Sequence, residues 1–105
     1  MRRMLIDLET CRITDFDKDV FRIGRDSSQV DFCADYQAVG VSRIHCHIIT
    51  REDGFYIVDL NSVNGTSING IPLEPGREYP LASDDVIRIA GSQYLFLALK
   101  GGNDA

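Results

Sequence analysis

Apolar residues in this chain come in short runs, and each run is closed by a turn signal. Phe21-Arg22-Ile23 stops at Gly24, residues 45–50 stop at Glu52-Asp53-Gly54, and residues 55–58 follow. Strand-like runs at 86–89 and 94–99 close the sequence. Between them stand Asp53-Gly54, Asn64-Gly65, Asn69-Gly70, Pro75-Gly76 and Gly91-Ser92. Such dipeptides favour tight turns, because Gly and Asn tolerate positive φ. A helix needs an apolar stripe sustained over about a dozen residues. No window offers one; within the best candidate, residues 26–38, Gln29-Val30-Asp31-Phe32 alternates like a strand. The runs are rich in Ile, Val, Phe and Tyr, which suit a pleated, half-buried surface. The expectation is an all-β sandwich of many short strands.

The chain has 105 residues, which fits one domain over 1–105, and it holds no internal repeat or low-complexity segment. Residues 101–105 have the composition of a flexible tail. Sixteen Asp and Glu against eleven Lys and Arg give a net charge of −5. That balance excludes nucleic acid and anionic membrane as bulk partners, since both call for a basic face. The longest apolar run, residues 94–99, is far shorter than the ~20 residues of a membrane span. Met1-Arg2-Arg3 could open a signal peptide, but Asp7 and Glu9 interrupt the apolar segment that should follow. Cys11, Cys33 and Cys46 are odd in number and unpatterned, as reduced thiols of a cytoplasmic protein would be.

Three polar clusters fall at strand ends, where a sandwich carries its functional loops. They are Gly24-Arg25, Ser42-Arg43-Ile44-His45 and Asn61-Ser62-Val63-Asn64-Gly65. Singly, each has a plain structural meaning: a solvated arginine, a loop hydroxyl, a tight turn. An enzyme could be assembled from Ser42, His45 and Asp59, yet nothing in the spacing orients them as a triad. In a strand, His45 and His47 share one face and Cys46 points to the other, too few ligands for a structural zinc. No metal or other cofactor is expected, and Cys46 reads as core packing.

The ordered text Phe21-Arg22-Ile23-Gly24-Arg25, Val41-Ser42-Arg43-Ile44-His45, Asp59-Leu60-Asn61-Ser62-Val63-Asn64-Gly65-Thr66 and Asn69-Gly70 resembles a forkhead-associated (FHA) domain. Leu81-Ala82-Ser83-Asp84-Asp85-Val86-Ile87-Arg88-Ile89-Ala90-Gly91 is similar to the family's closing strands, so the likeness runs over about 20–99. It implies a twisted β-sandwich of two sheets and about eleven strands. It also implies a non-catalytic module that binds phosphothreonine peptides through loops at one end.

A phosphothreonine brings about −1.5 to −2 charges and three acceptor oxygens. Arg25 offers a fork of charge-assisted donors. Arg25 is the expected phosphate-binding cation; the resemblance assigns a phosphate contact to Ser42 and contacts with the peptide backbone to Asn64, while Arg43, at a variable family position, is either a second phosphate-binding cation or a solvated side chain. The resemblance makes Gly24, His45, Gly65 and Asn69 supports of the site: Gly24 turning the chain so that Arg25 points outward, His45 bracing the Ser42 loop, Asn69-Gly70 closing a hairpin. Gly40, Val41 and Arg43 occupy the positions that select flanking ligand sequence. Val63 replaces the threonine or serine of many relatives and removes a donor. The expected partner is a phosphothreonine-containing protein, a Ser/Thr kinase or its substrate, bound by a monomeric domain of this or a longer chain. The rival is a scaffold or intramolecular contact domain whose phosphate pocket is unused.

Overall fold

The structure, a computed structural model, describes residues 1–34 and 39–100. The proposed tail at 101–105 and the end of the helix candidate, 35–38, lie outside the described residues. The fold is a sandwich of eleven strands and, among the described residues, contains no helix. In chain order these are β1 (Arg2–Asp7), β2 (Ile13–Phe16), β3 (Val20–Gly24), β4 (Phe32–Cys33), β5 (Cys46–Arg51) and β6 (Gly54–Asp59). There follow β7 (Thr66–Ile68), β8 (Ile71–Pro72), β9 (Glu78–Leu81), β10 (Val86–Ile89) and β11 (Ser92–Leu99). One sheet runs β2-β1-β11-β10-β7-β8 and the other β4-β3-β5-β6-β9.

Alternation along the strands builds the core. Leu5 on β1 pairs with Phe96 on β11, and Ile87 and Ile89 extend that inner face. Phe21, Ile23, Ile48, Ile57 and Leu81 face them from the second sheet. Phe96 is fully buried, with the Phe55 ring edge-on at 5.2 Å. Its truncation to alanine would cost about 3–5 kcal/mol, the usual result of emptying a packed aromatic site.

The first two strands lie outside the segment that resembles the family. Met4-Leu5-Ile6 is a short apolar run between charged residues, and its partner, β11, is at the other end of the sequence. Two turns are displaced by one residue from the sequence expectation. Arg51 pairs with Gly54, so the β5–β6 loop is Glu52-Asp53 and Gly54 opens β6. Ile89 pairs with Ser92, so the last hairpin turns on Ala90-Gly91. At Asn69-Gly70 both residues have positive φ, 50° and 84°, as a two-residue β7–β8 hairpin requires. Asn64-Gly65 is not a hairpin turn: it lies in the connection from β6 in one sheet to β7 in the other.

Register brings the three polar clusters together. Ile23 pairs with Cys46, and Cys46 pairs with Asp59. Because these neighbours are antiparallel, the end of β3, the start of β5 and the end of β6 lie side by side. The loops carrying Arg25, Ser42 and Asn64 therefore leave the sandwich at one end.

Candidate functional site

Gly24 is buried, and a Cβ there would lie 2.1 Å from the Arg43 carbonyl oxygen. Its φ is not in the left-handed region, so the glycine serves close approach rather than the turn expected of it. The approach zips two loops: Arg25 N–H donates to the Ser42 and Arg43 carbonyls at 3.0 Å each, and Asp26 N–H donates to Arg43 at 3.1 Å. Arg25 is exposed, and its Nε–H donates to the Val41 carbonyl at 3.1 Å. That bond aims the guanidinium and leaves both terminal nitrogens without a hydrogen-bond acceptor among the described residues.

His45 is fully buried just before β5. The strand alternation that put His45 and His47 on one face therefore does not reach it. Ser42 N–H donates to its Nδ1 at 3.0 Å, so Nδ1 is unprotonated and Nε2–H donates to the Gly65 carbonyl at 2.8 Å. Both ring nitrogens are spent on backbone, and the Ser42 hydroxyl instead accepts the Val63 N–H at 3.0 Å. This is not the arrangement of a Ser-His-Asp triad. It leaves the Ser42 hydroxyl proton without an acceptor among the described residues.

Asp59, weighed from sequence only as a triad candidate and as part of the family-like text, supports the site in a way that sequence reasoning missed. Buried at the end of β6, it accepts from Ser62 N–H at 3.0 Å, from the Ser62 hydroxyl, and from the Thr66 hydroxyl at 2.6 Å. Ser62 Oγ in turn accepts Gly65 N–H at 3.0 Å. An Asp three residues before a Ser, at a strand end, is the available sequence signal for such a side-chain-capped loop. Burial first, with the Asp59 charge adding, pushes the Cys46 thiol far above the ordinary range, so it stays protonated and inert. No group of three or more metal-ligating side chains occurs among the described residues.

The clusters meet in one open cleft, lined by Arg25, Gln29, Ser42, Arg43, Ile44 and Val63. Gln29 and Ile44 were not singled out from sequence; the Gln29 amide donates to Asp26 at 2.7 Å. Hydrogen bonds from Ser28 and Gln29, with the Arg43 charge a smaller cause, hold the Asp26 carboxyl below its usual range. Asn64 stands beside the cleft and spans two loops, its Nδ2 donating to the Gly40 carbonyl at 2.8 Å. Asn69 is elsewhere: its amide donates to Asp85 and accepts Val86 N–H, each at 2.9 Å, pinning the β7–β8 hairpin to the start of β10. Val41 is buried at 3% exposure in the core, so its side chain does not reach a ligand as a selector would.

The sequence profile of the FHA domain matches residues 21–90. The chain belongs to the FHA family. Among curated proteins it is 45% identical over 49 residues to the protein FraH of a Nostoc species, covering 47% of this chain and 17% of that protein. It is 45% identical over 58 residues to the FHA domain-containing protein FhaA of Mycobacterium tuberculosis, covering 53% of this chain and 10% of FhaA. A solved structure from a structural and functional analysis of phosphothreonine-dependent FHA domain interactions superposes with a TM-score of 0.82 at 29% identity. That match covers 95% of this chain and 99% of the other. The two-sheet, eleven-strand expectation is thus met. The match spans only a small fraction of the two curated relatives. Among the described residues, no helix is long and apolar enough to cross a membrane.

Proposed function

We propose that this FHA domain is a phosphothreonine-dependent interaction module without catalytic activity. Arg25 supplies the terminal nitrogens of its guanidinium to the phosphate, Ser42 donates its free hydroxyl proton, and Arg43 adds a second cation at the rim. The observation that carries the reading is the convergence of Arg25, Ser42 and Arg43 on one cleft of an acidic protein. The phosphothreonine dependence of the structurally similar FHA domain is in accord with it.

Asn64 has one amide proton on Gly40, which leaves its other amide proton and its carbonyl oxygen to pair with the backbone of an extended peptide. Gly24, His45 and Gly65 hold the loops in place, and Asn69 acts further off by fixing the β7–β8 hairpin. Valine at 63 withholds a hydroxyl, a loss of about 1.5–3 kcal/mol where the donor would meet a charged group, and Arg43 compensates in part. The partner is a protein phosphorylated on threonine by a cytoplasmic Ser/Thr kinase, or the kinase itself.

A degenerate peptide library fixed on phosphothreonine, run beside its unphosphorylated counterpart, tests this. Enrichment confined to the phosphorylated library is expected. Equal enrichment from both would replace the reading with that of a phosphate-independent scaffold.

A further inference from the structure

The outer face of the six-stranded sheet is aliphatic. Leu5 and Phe96 point into the core, so alternation turns Met4, Ile6, Leu95 and Leu97 outward. Register then lines up one row across four strands: Ile13 on β2 opposite Ile6, Ile6 opposite Leu95, and Leu95 opposite Val86 on β10. Met4 and Leu97 form the next row, and Leu99 lies beyond them. Ile13 is 54% exposed and Leu99 45%. Ile6, Leu95, Leu97 and Val86 are half-buried, and none of them belongs to the core or packs against it. Met4 is buried without being part of the core, so its cover comes from this outer face itself.

A solvated face of an antiparallel sheet ordinarily carries the polar half of the alternation. Here β1 and β11 are apolar on both faces, which is why 94–99 is the longest apolar run of the sequence. With strands ~4.8 Å apart and ~3.4 Å per residue along them, the aliphatic footprint is on the order of 400 Å², a size that marks an interaction surface. Together with a polar rim it offers about 600 Å² per partner, the lower end of specific interfaces. The charged strand residues that register sets on this face are Arg2, Arg88 and Asp15, and Arg2 pairs with Asp15. The face thus carries 2 − 1 = +1, against −5 for the whole chain.

We infer that this face is the interface of a homodimer and that its occupant is a second copy of the chain. A two-fold contact needs a patch that complements itself, and a sheet face of Leu, Ile, Val and Met does so. Two such faces stack about 10 Å apart, as the sheets of any sandwich do. Two acidic copies repel over most of their surface, and the acidic excess is absent from this face. Arg25, Ser42 and Arg43 stand on loops of the other sheet, so the dimer leaves both clefts open and presents two of them. The monomeric domain expected from sequence gives way to a pair, and the pairing does not rest on what the cleft binds.

Sedimentation velocity on the 105-residue chain, from about 1 to 500 µM, tests this. A reversible shift from monomer to twice the monomer mass is expected, at the micromolar end of the affinities that such interfaces span. Ile13→Glu/Leu99→Glu places a like charge on both sides of the contact and should weaken the dimer at least tenfold. Both side chains are exposed, so folding is expected to survive, and thermal melts verify it. If the double variant does not fold, Ile13→Glu alone decides: a dimer weakened at least threefold supports the interface, and an unchanged one overturns it. Val20→Glu, on an exposed aliphatic of the second sheet, should leave the dimer intact; its loss there would move the contact to the other sheet and overturn the assignment. A chain that stays monomeric to 500 µM overturns the inference and leaves the face to another protein. Growth beyond the dimer overturns the two-fold contact, and a dimer undiminished in the folded double variant overturns its location.

Discussion

Replacing His45 by alanine separates the two things this side chain does. It removes the acceptor of Ser42 N–H and the donor to the Gly65 carbonyl. The carbonyl is not abandoned, since Ala90 N–H donates to it at 3.2 Å. The Ser42 N–H is, and the fully buried ring leaves a void. One lost hydrogen bond with its stranded donor accounts for about 1–3 kcal/mol, and the void adds on the order of 1 kcal/mol. A total of about 3 kcal/mol in a domain of this size corresponds to a Tm lower by roughly 12 °C. Ligand affinity should fall about tenfold as well, because the loop that presents Ser42 is released. Calorimetric melts and phosphopeptide titrations read both effects. His45→Asn, whose Oδ1 can accept from Ser42 N–H, should recover about half of the lost Tm. A Tm within about 3 °C of wild type for the alanine variant, or unaltered affinity in a folded variant, would refute the bracing argument.

Other variants probe the same end of the sandwich. Arg25→Ala should abolish phosphopeptide binding with a Tm change of no more than about 3 °C, because the side chain is exposed and makes one hydrogen bond among the described residues, to Val41; a large loss of Tm would make Arg25 structural. Val63→Thr should tighten phosphopeptide binding by about tenfold or more by returning a donor, measured by titration calorimetry; unchanged affinity would mean that residue 63 does not meet the phosphate. Burial first, then the Arg22 charge, lower the His47 pKa against an opposing effect of Glu78. The folded state thus binds fewer protons than the unfolded chain, and stability should decline as pH drops below the ordinary histidine value of about 6.5. His47→Gln should flatten that part of the Tm–pH curve, and an unaltered slope would contradict the assignment.

Much of the architecture was legible because it is local. Asn69-Gly70 has only one comfortable conformation between two strands, and the run 86–89 coincides with β10. What escaped was non-local or set by a single atom's neighbours. β1 is recognisable only through pairing with β11 at the opposite end of the chain. The β5–β6 turn shifted by a residue because Gly54 can start a strand at φ 147° as readily as close a turn. Val41 and Ser42 are adjacent in sequence, but one side chain enters the core and the other stays at the surface end, a distinction no loop motif encodes. Gly24 was read as a turn residue although its neighbour in space is the Arg43 carbonyl. Asp59 ends β6, and its three side-chain hydrogen bonds become visible only once the β6–β7 loop closes over it.

The charge of −5 gains meaning from where the cations lie. Exposed Arg2, Arg51 and Arg77 are paired with Asp15, Glu78 and Glu74. Arg25 and Arg43, like Arg12, Arg22, Arg88 and Lys100, have no salt bridge among the described residues, and these two share one cleft. A local positive site on an acidic body suits one phosphate on a peptide and repels a polyanion, a contrast that salt titrations of both ligands would expose.

The central claim is that this cleft reads phosphate on threonine. Titration calorimetry with three peptides of one sequence, bearing phosphothreonine, threonine or phosphoserine, tests it directly at pH 7.5. Two charge-assisted hydrogen bonds at about 1.5 kcal/mol each predict at least a hundredfold preference for phosphothreonine over threonine. Phosphoserine should fall between them. Equal affinity for the phosphorylated and unphosphorylated threonine peptides would contradict the account.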